Sequence, residues 1–176
     1  MREAYSPVPE LNLLKEFEDR IGPVHYSAGF ELREYGGDAA LDTWSEHPEF
    51  LSRFIPFAQA GHTGSHYALW RCDDRADLAA LPVVPVGDEG DLCVVARSLT
   101  ELFRLLAVDS EPVAEGFLDP SDAEEHSEGH REYLIWLDQK FGLGPPEDLD
   151  ALWTARKEHD DRFRSWASRF IDLSER

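Results

Sequence analysis

The sequence predicts an α+β fold, a mainly antiparallel sheet with flanking helices, followed by a helical C-terminal extension. Three observations predict it. Short β-rich runs flank glycine-containing turns in the middle of the chain, at Phe54–Ala58 with Tyr67–Trp70 and at Val83–Val86 with Leu92–Ala96. A leucine-rich stripe at helical spacing follows them at once. The last third then repeats that spacing with aromatic residues. A chain of 176 residues with 42% hydrophobic and 11% aromatic side chains has the material for a packed core.

Taken in order, Leu11, Leu14, Phe17 and Ile21 mark an amphipathic helix over 9–21 that Gly22-Pro23 stops. Phe30 to Tyr35 alternates like a strand and turns at Gly36-Gly37, and Asp38 to His47 reads as a mobile loop. The run Phe54-Ile55-Pro56-Phe57-Ala58 pairs with Tyr67–Trp70 across Gly61–Ser65 as a hairpin. Pro56 has no N–H to give a ladder, so it belongs at an edge or a bulge. A second hairpin joins Val83–Val86 to Leu92–Ala96 through residues 87–91. Ser98-Leu99-Thr100-Glu101 has the spacing of a capping box, with Leu99, Leu102, Phe103, Leu105 and Leu106 behind it as an apolar helix face.

Beyond Ala107 the pattern changes, and the expected division is a core over 1–118 and a helical extension over 119–176 packed on or near that core. Ser121 to Glu124 offers another box spacing. Tyr133, Leu134, Trp136, Leu137 and Phe141 form a helix face that Gly142 ends. Pro145-Pro146-Glu147-Asp148 opens a long helix, with carboxylates in its first turn. Its stripe, from Leu149 to Ile171, thins between Arg156 and Arg162.

The net charge of −19 argues against nucleic acid and against anionic membranes, both of which need cationic footprints. A basic protein partner fits it, and so does plain solubility. The two cysteines, Cys72 and Cys93, form no CxxC pair and read as small buried hydrophobes. No apolar leader precedes the first helix, and the longest apolar stretch, Leu78 to Val86, is broken by prolines. The expected compartment is therefore the cytoplasm. No phosphate loop, nucleophile elbow or cofactor motif is present, so no cofactor is expected.

Two constellations carry chemical interest. Asp73, Asp74 and Asp77 crowd one turn and Asp88, Glu89 and Asp91 another, which together suit an acidic face for a cationic protein. His126 and His130, at i and i+4, would share a helix face and clamp a metal. They lack the HExxH order, and a solvated acidic segment is the simpler reading of that stretch.

The middle segment resembles the SUKH superfamily, a family related to a fungal regulator of cell-wall synthesis and widespread as bacterial immunity proteins. The likeness runs over residues 50–107. It is carried by Arg53–Ala58, the glycine turn, Tyr67–Arg71, Pro82–Asp91 and Val94–Leu99, continuing to Leu105-Leu106-Ala107. It implies an α+β platform that binds and blocks a toxin domain, often a nuclease or deaminase, without catalysis. The family's glycine-acid turn would fall on Gly87, Asp88, Glu89 and Gly90, and its hairpin aromatic on Trp70. The usual family start is missing, with Tyr35-Gly36-Gly37 as a remnant, and the helices after Pro120 lie outside the common pattern. The expected partner site is therefore Trp70, Asp73, Asp74, Asp88, Glu89 and Asp91. A regulatory scaffold of the same fold, or a hydrolase built on His126 and His130, are the alternatives.

Overall fold

A computed structural model describes residues 4–27, 29–37, 44–60, 65–86, 93–109, 112–113, 116–117 and 127–172. Its centre is a four-stranded antiparallel sheet in the simple order β1-β2-β3-β4, made of Glu31–Leu32, Phe54–Ala60, Ser65–Trp70 and Val83–Val86. Among the described residues five α-helices surround it: α1 (Pro9–Ile21), α2 (Pro48–Ser52), α3 (Leu99–Leu106), α4 (His130–Phe141) and α5 (Leu149–Ala167). A short separate hairpin pairs β5 (Pro112–Val113) with β6 (Gly116–Phe117). The α+β class follows directly from this arrangement. No helix among the described residues is long and apolar enough to cross a membrane.

The alternation of β3 decides the layering. Tyr67 and Leu69 face one core and Ala68 and Trp70 the other, because successive side chains point to opposite faces of a strand. The first core is filled by α1, α3 and α4 through Leu14, Phe17, Leu102, Phe103, Tyr133 and Trp136. The second is filled from α2 and α5, through Phe50, Phe163 and Ala167, against Phe54, Trp70 and Val84. Both faces of the sheet are therefore covered. Rings from beyond residue 118, Tyr133, Trp136 and Phe163 among them, pack into both cores. The expected box at Ser121–Glu124 lies outside the described residues, as does the 38–43 part of the expected loop.

Several elements lie where the pattern puts them. Helix α1 buries Leu11, Leu14 and Phe17 and ends at Gly22, whose φ of 80° is left-handed backbone that favours glycine. The β2–β3 register shifts between Pro56 and Ala58, so Pro56 does sit at a bulge. At α3, Ser98 accepts a hydrogen bond from the Glu101 N–H at 3.3 Å, which is half of a capping box. The other half is redirected. The Glu101 carboxylate takes the backbone N–H of Arg97 at 3.0 Å and its Nε at 2.8 Å.

Three expectations change. The strand expected over Phe30–Tyr35 shrinks to Glu31–Leu32, because the β2 bulge breaks the ladder opposite it. The Arg33 and Gly36 amides still bond to the Phe57 and Pro56 carbonyls. Helix α5 starts at Leu149 rather than among the prolines, since Asp148 caps it by accepting from the Ala151 N–H at 2.9 Å.

Of the expected second hairpin, residues 87–92 lie outside the described residues, and the described part shows one bridge, Val83 with Ala96. Its reason is polar. The Val94 N–H donates to the Asp160 carboxylate at 3.0 Å, and the Val94 carbonyl accepts from Arg156 Nη1 at 2.7 Å. Two side chains of α5 thus take the backbone groups that a strand partner would otherwise satisfy.

Candidate functional site

The acidic turn after β3 holds Asp73 and Asp74, and both meet arginines. Arg75 grips Asp73 with its Nε and Nη2 at 2.7 and 2.6 Å, and its own backbone N–H adds a third bond. Those bonds hold the Asp73 carboxyl down at a pKa of about 2. Asp74, 87% exposed at its side chain, reaches Arg53 at 3.4 Å. Asp73 is therefore committed within its own turn, while Asp74 remains open to a partner. Asp88, Glu89 and Asp91 lie outside the described residues.

Trp70 requires a correction. It is 3% exposed and packs edge-on against Phe163, with centroids 5.0 Å apart, and beside Trp166 at 5.6 Å. Its position on the inward face of β3, beneath α5, makes it a core ring and withdraws it from the partner surface.

The histidine pair also changes. Helix α4 begins at His130, and residues 127–129 before it are not helical; His126 lies outside the described residues. His130 is buried, and its Nε2 lies 2.9 Å from the Ala107 carbonyl oxygen. Gly129 explains the local path. Its N–H donates to the His25 carbonyl at 2.8 Å, and a Cβ there would come within 3.2 Å of the His25 carbonyl oxygen, the Ile21 Cδ1 and the Tyr26 Cβ. The absent side chain lets the start of α4 sit on the end of α1. Among the described residues no group of three or more His, Cys, Asp or Glu is placed to hold a metal ion.

Two hollows were not signalled by the sequence. One, of about 280 Å³, lies at the α1–β1 corner and is lined by Glu18, Glu31, His25, Tyr26 and Phe30 among others. Burial pushes the Glu18 carboxyl above its usual range, against the lowering effect of bonds from the Leu32 N–H and the Tyr26 hydroxyl. Those bonds make Glu18 the clasp between α1 and the edge strand. A carboxylate on the flank of an amphipathic helix reads as solvated, so only tertiary contact reveals it.

The other hollow is an open groove between the end of β3 and α5, with Cys72 on its wall. Cys93 is buried as expected, whereas the Cys72 thiol is half-buried and accepts from Arg75 Nη2 at 3.7 Å.

The chain matches no protein-family model, no curated protein and no solved structure.

Proposed function

We propose that this chain is a non-enzymatic, immunity-type binding protein that neutralises a basic toxin domain, a nuclease or deaminase, through an acidic surface. The observation that carries the reading is a net charge of −19 on a sheet whose two faces are both filled by the chain's own side chains. Recognition then falls to the outer surface, where opposite charge speeds encounter and fixes orientation. Asp74 and the exposed carboxylates of the α1–β1 corner, Asp19 and Glu31, are described contributors. Asp88, Glu89 and Asp91, proposed from the sequence for the same role, lie outside the described residues. The resemblance of residues 50–107 to the SUKH superfamily supports the same role.

Co-expression with a toxin domain encoded beside the gene tests it, with restored growth as the expected result. Stopped-flow association with that domain should slow by about tenfold or more from low to high salt, while dissociation changes little. Growth arrest despite co-expression, or an association rate indifferent to salt, would sink the reading.

A further inference from the structure

The groove beside β3 differs in character from the rest of the surface. Its volume is about 580 Å³, within the ~300–1,000 Å³ usual for small-molecule sites. One wall carries Arg162, Ser165, Trp166 and Arg169 from α5 and the turn after it, and the other carries Trp70 and Cys72. Arg162 lies on α5 and Arg169 in the turn after it, its Cζ 5.4 Å over the Phe170 ring, and both line the groove. Neither has a carboxylate within ion-pair distance among the described residues, and both are exposed. Asp161 also lines the groove, but the two guanidinium groups outnumber it, opposite in sign to the chain as a whole. Arg162 also acts electrostatically on Asp73, which Arg75 already holds.

A second observation is independent of charge. Trp70 is 3% exposed, and its indole Nε1–H is buried with no hydrogen-bond acceptor among the described residues. A buried donor left without an acceptor costs ~1–3 kcal/mol. The groove therefore presents two guanidinium groups and a serine hydroxyl around aromatic surface, with the buried Trp70 ring behind them. Its complement is an acceptor-rich anion attached to a flat apolar body.

We propose that this groove binds a small aromatic anion, its carboxylate or phosphate held by Arg162 and Arg169 and its ring laid against Trp166. Planar guanidinium groups match the two oxygens of either head group. The Trp166 ring, half-buried between the Phe50 and Phe170 rings at 5.5 and 5.2 Å, is held in place to receive it. The groove adjoins the Asp73-Asp74 turn through Cys72, but binding there rests on Arg162, Arg169 and Trp166 and not on the reading of the acidic surface.

Phenyl phosphate, benzoate and phenol are the probes, read by the indole N–H signals of the full chain in 15N-correlated NMR. Phenyl phosphate or benzoate should shift the Trp70 and Trp166 signals saturably and leave that of Trp136, in the other core, in place. Phenol should bind about tenfold more weakly or worse, having lost the charge-assisted bonds. The better of the two anions assigns the head group. The double variant Arg162→Gln/Arg169→Gln alters exposed side chains, and its unchanged amide spectrum would show it folded; its affinity should fall by about tenfold or more. Saturating phenyl phosphate should also slow alkylation of Cys72 by iodoacetamide. Absence of saturable shifts, equal binding of phenol and the anions, or undiminished binding by the folded double variant would overturn the proposal.

Discussion

The two faces of the sheet are closed by different physics. On one, α1, α3 and α4 bring a continuous set of rings into contact, with Tyr26 stacked on Tyr133 at 5.2 Å and Phe17 edge-on to Tyr26 at the same distance. On the other, α5 has its own aromatic group around Phe163 but is also tied to Val94 through Arg156 and Asp160. Apolar contact is non-directional and tolerates a shift in angle, whereas two hydrogen bonds to one residue fix rotation and height together. The first face gains stability from area, and the second gains register from polar contacts.

The strongest test of that contrast is truncation of a ring on the apolar face. Phe17→Ala removes a fully buried side chain at the meeting point of Tyr26, Tyr133 and Trp136, and should cost ~3–5 kcal/mol in denaturant unfolding. A loss below ~1 kcal/mol would mean that this face is loosely packed.

Next in size is Arg156→Met on the other face. Methionine keeps much of the stem but leaves the Val94 carbonyl without its donor, at a cost of ~1–3 kcal/mol. Arg156→Lys should recover part of the loss, since an ammonium can still donate. If methionine unfolds at the same denaturant concentration as the wild type, the polar tether contributes nothing and the contrast between the faces fails.

These two residues also show what the sequence makes legible. Phe17 belongs to a 3.6-residue apolar repeat, so its helix, its bounds and its buried face are all readable in advance. The same holds for Leu102 and Phe103 behind Ser98. Arg156 lies where the stripe of α5 thins, and in one dimension a charged residue there resembles a break in burial. It is 7% exposed because its guanidinium meets a backbone carbonyl 62 positions away and its Cζ lies 4.5 Å over the Trp153 ring. The shortness of the pairing between the described residues of β4 and 93–96 has the same origin. The β-branched run at 93–96 satisfies strand patterning, but α5 takes the Val94 backbone groups first. Trp70 was legible as a hairpin aromatic but not by face, since a period of two cannot say which side a helix will later cover. Glu18 and the Arg162–Arg169 groove depend wholly on tertiary placement, and no spacing rule marks them.

A smaller effect sharpens the comparison from within the apolar face. Tyr133 is fully buried, yet its hydroxyl donates to the Phe103 carbonyl at 2.6 Å. Tyr133→Phe should cost about 1 kcal/mol, far less than ring removal, because only one hydrogen bond is lost. Thermal unfolding of Tyr133→Phe beside Phe17→Ala measures the ratio. A phenylalanine variant as unstable as the ring truncation would show that this face too depends on a directional bond.

The smallest expected effects are those of pH, and the two faces should answer it with opposite signs. Glu18, on the apolar side, has its pKa raised by burial first and by Glu31 besides. A carboxyl whose folded pKa exceeds its unfolded value stabilises the fold below the unfolded pKa, and that contribution is lost as pH rises through the folded one. Glu18→Gln should therefore raise Tm relative to wild type at pH 7 and lose the advantage at pH 4. His159, on α5, has its pKa lowered by burial first and then by Arg162 and Arg97. A histidine with a depressed folded pKa stabilises above its unfolded value of 6.5, and the contribution disappears as pH falls through the folded pKa. His159→Gln should leave Tm nearly unchanged at pH 7 and raise it relative to wild type at pH 4. Glu18 and His159 are both partly exposed, so each shift should be modest and should shrink in salt. Differential scanning calorimetry of the two variants and the wild type at both pH values decides the matter. Curves that move in parallel would mean that neither face carries the desolvated charge assigned to it, and that acid acts on this chain through its overall negative charge alone.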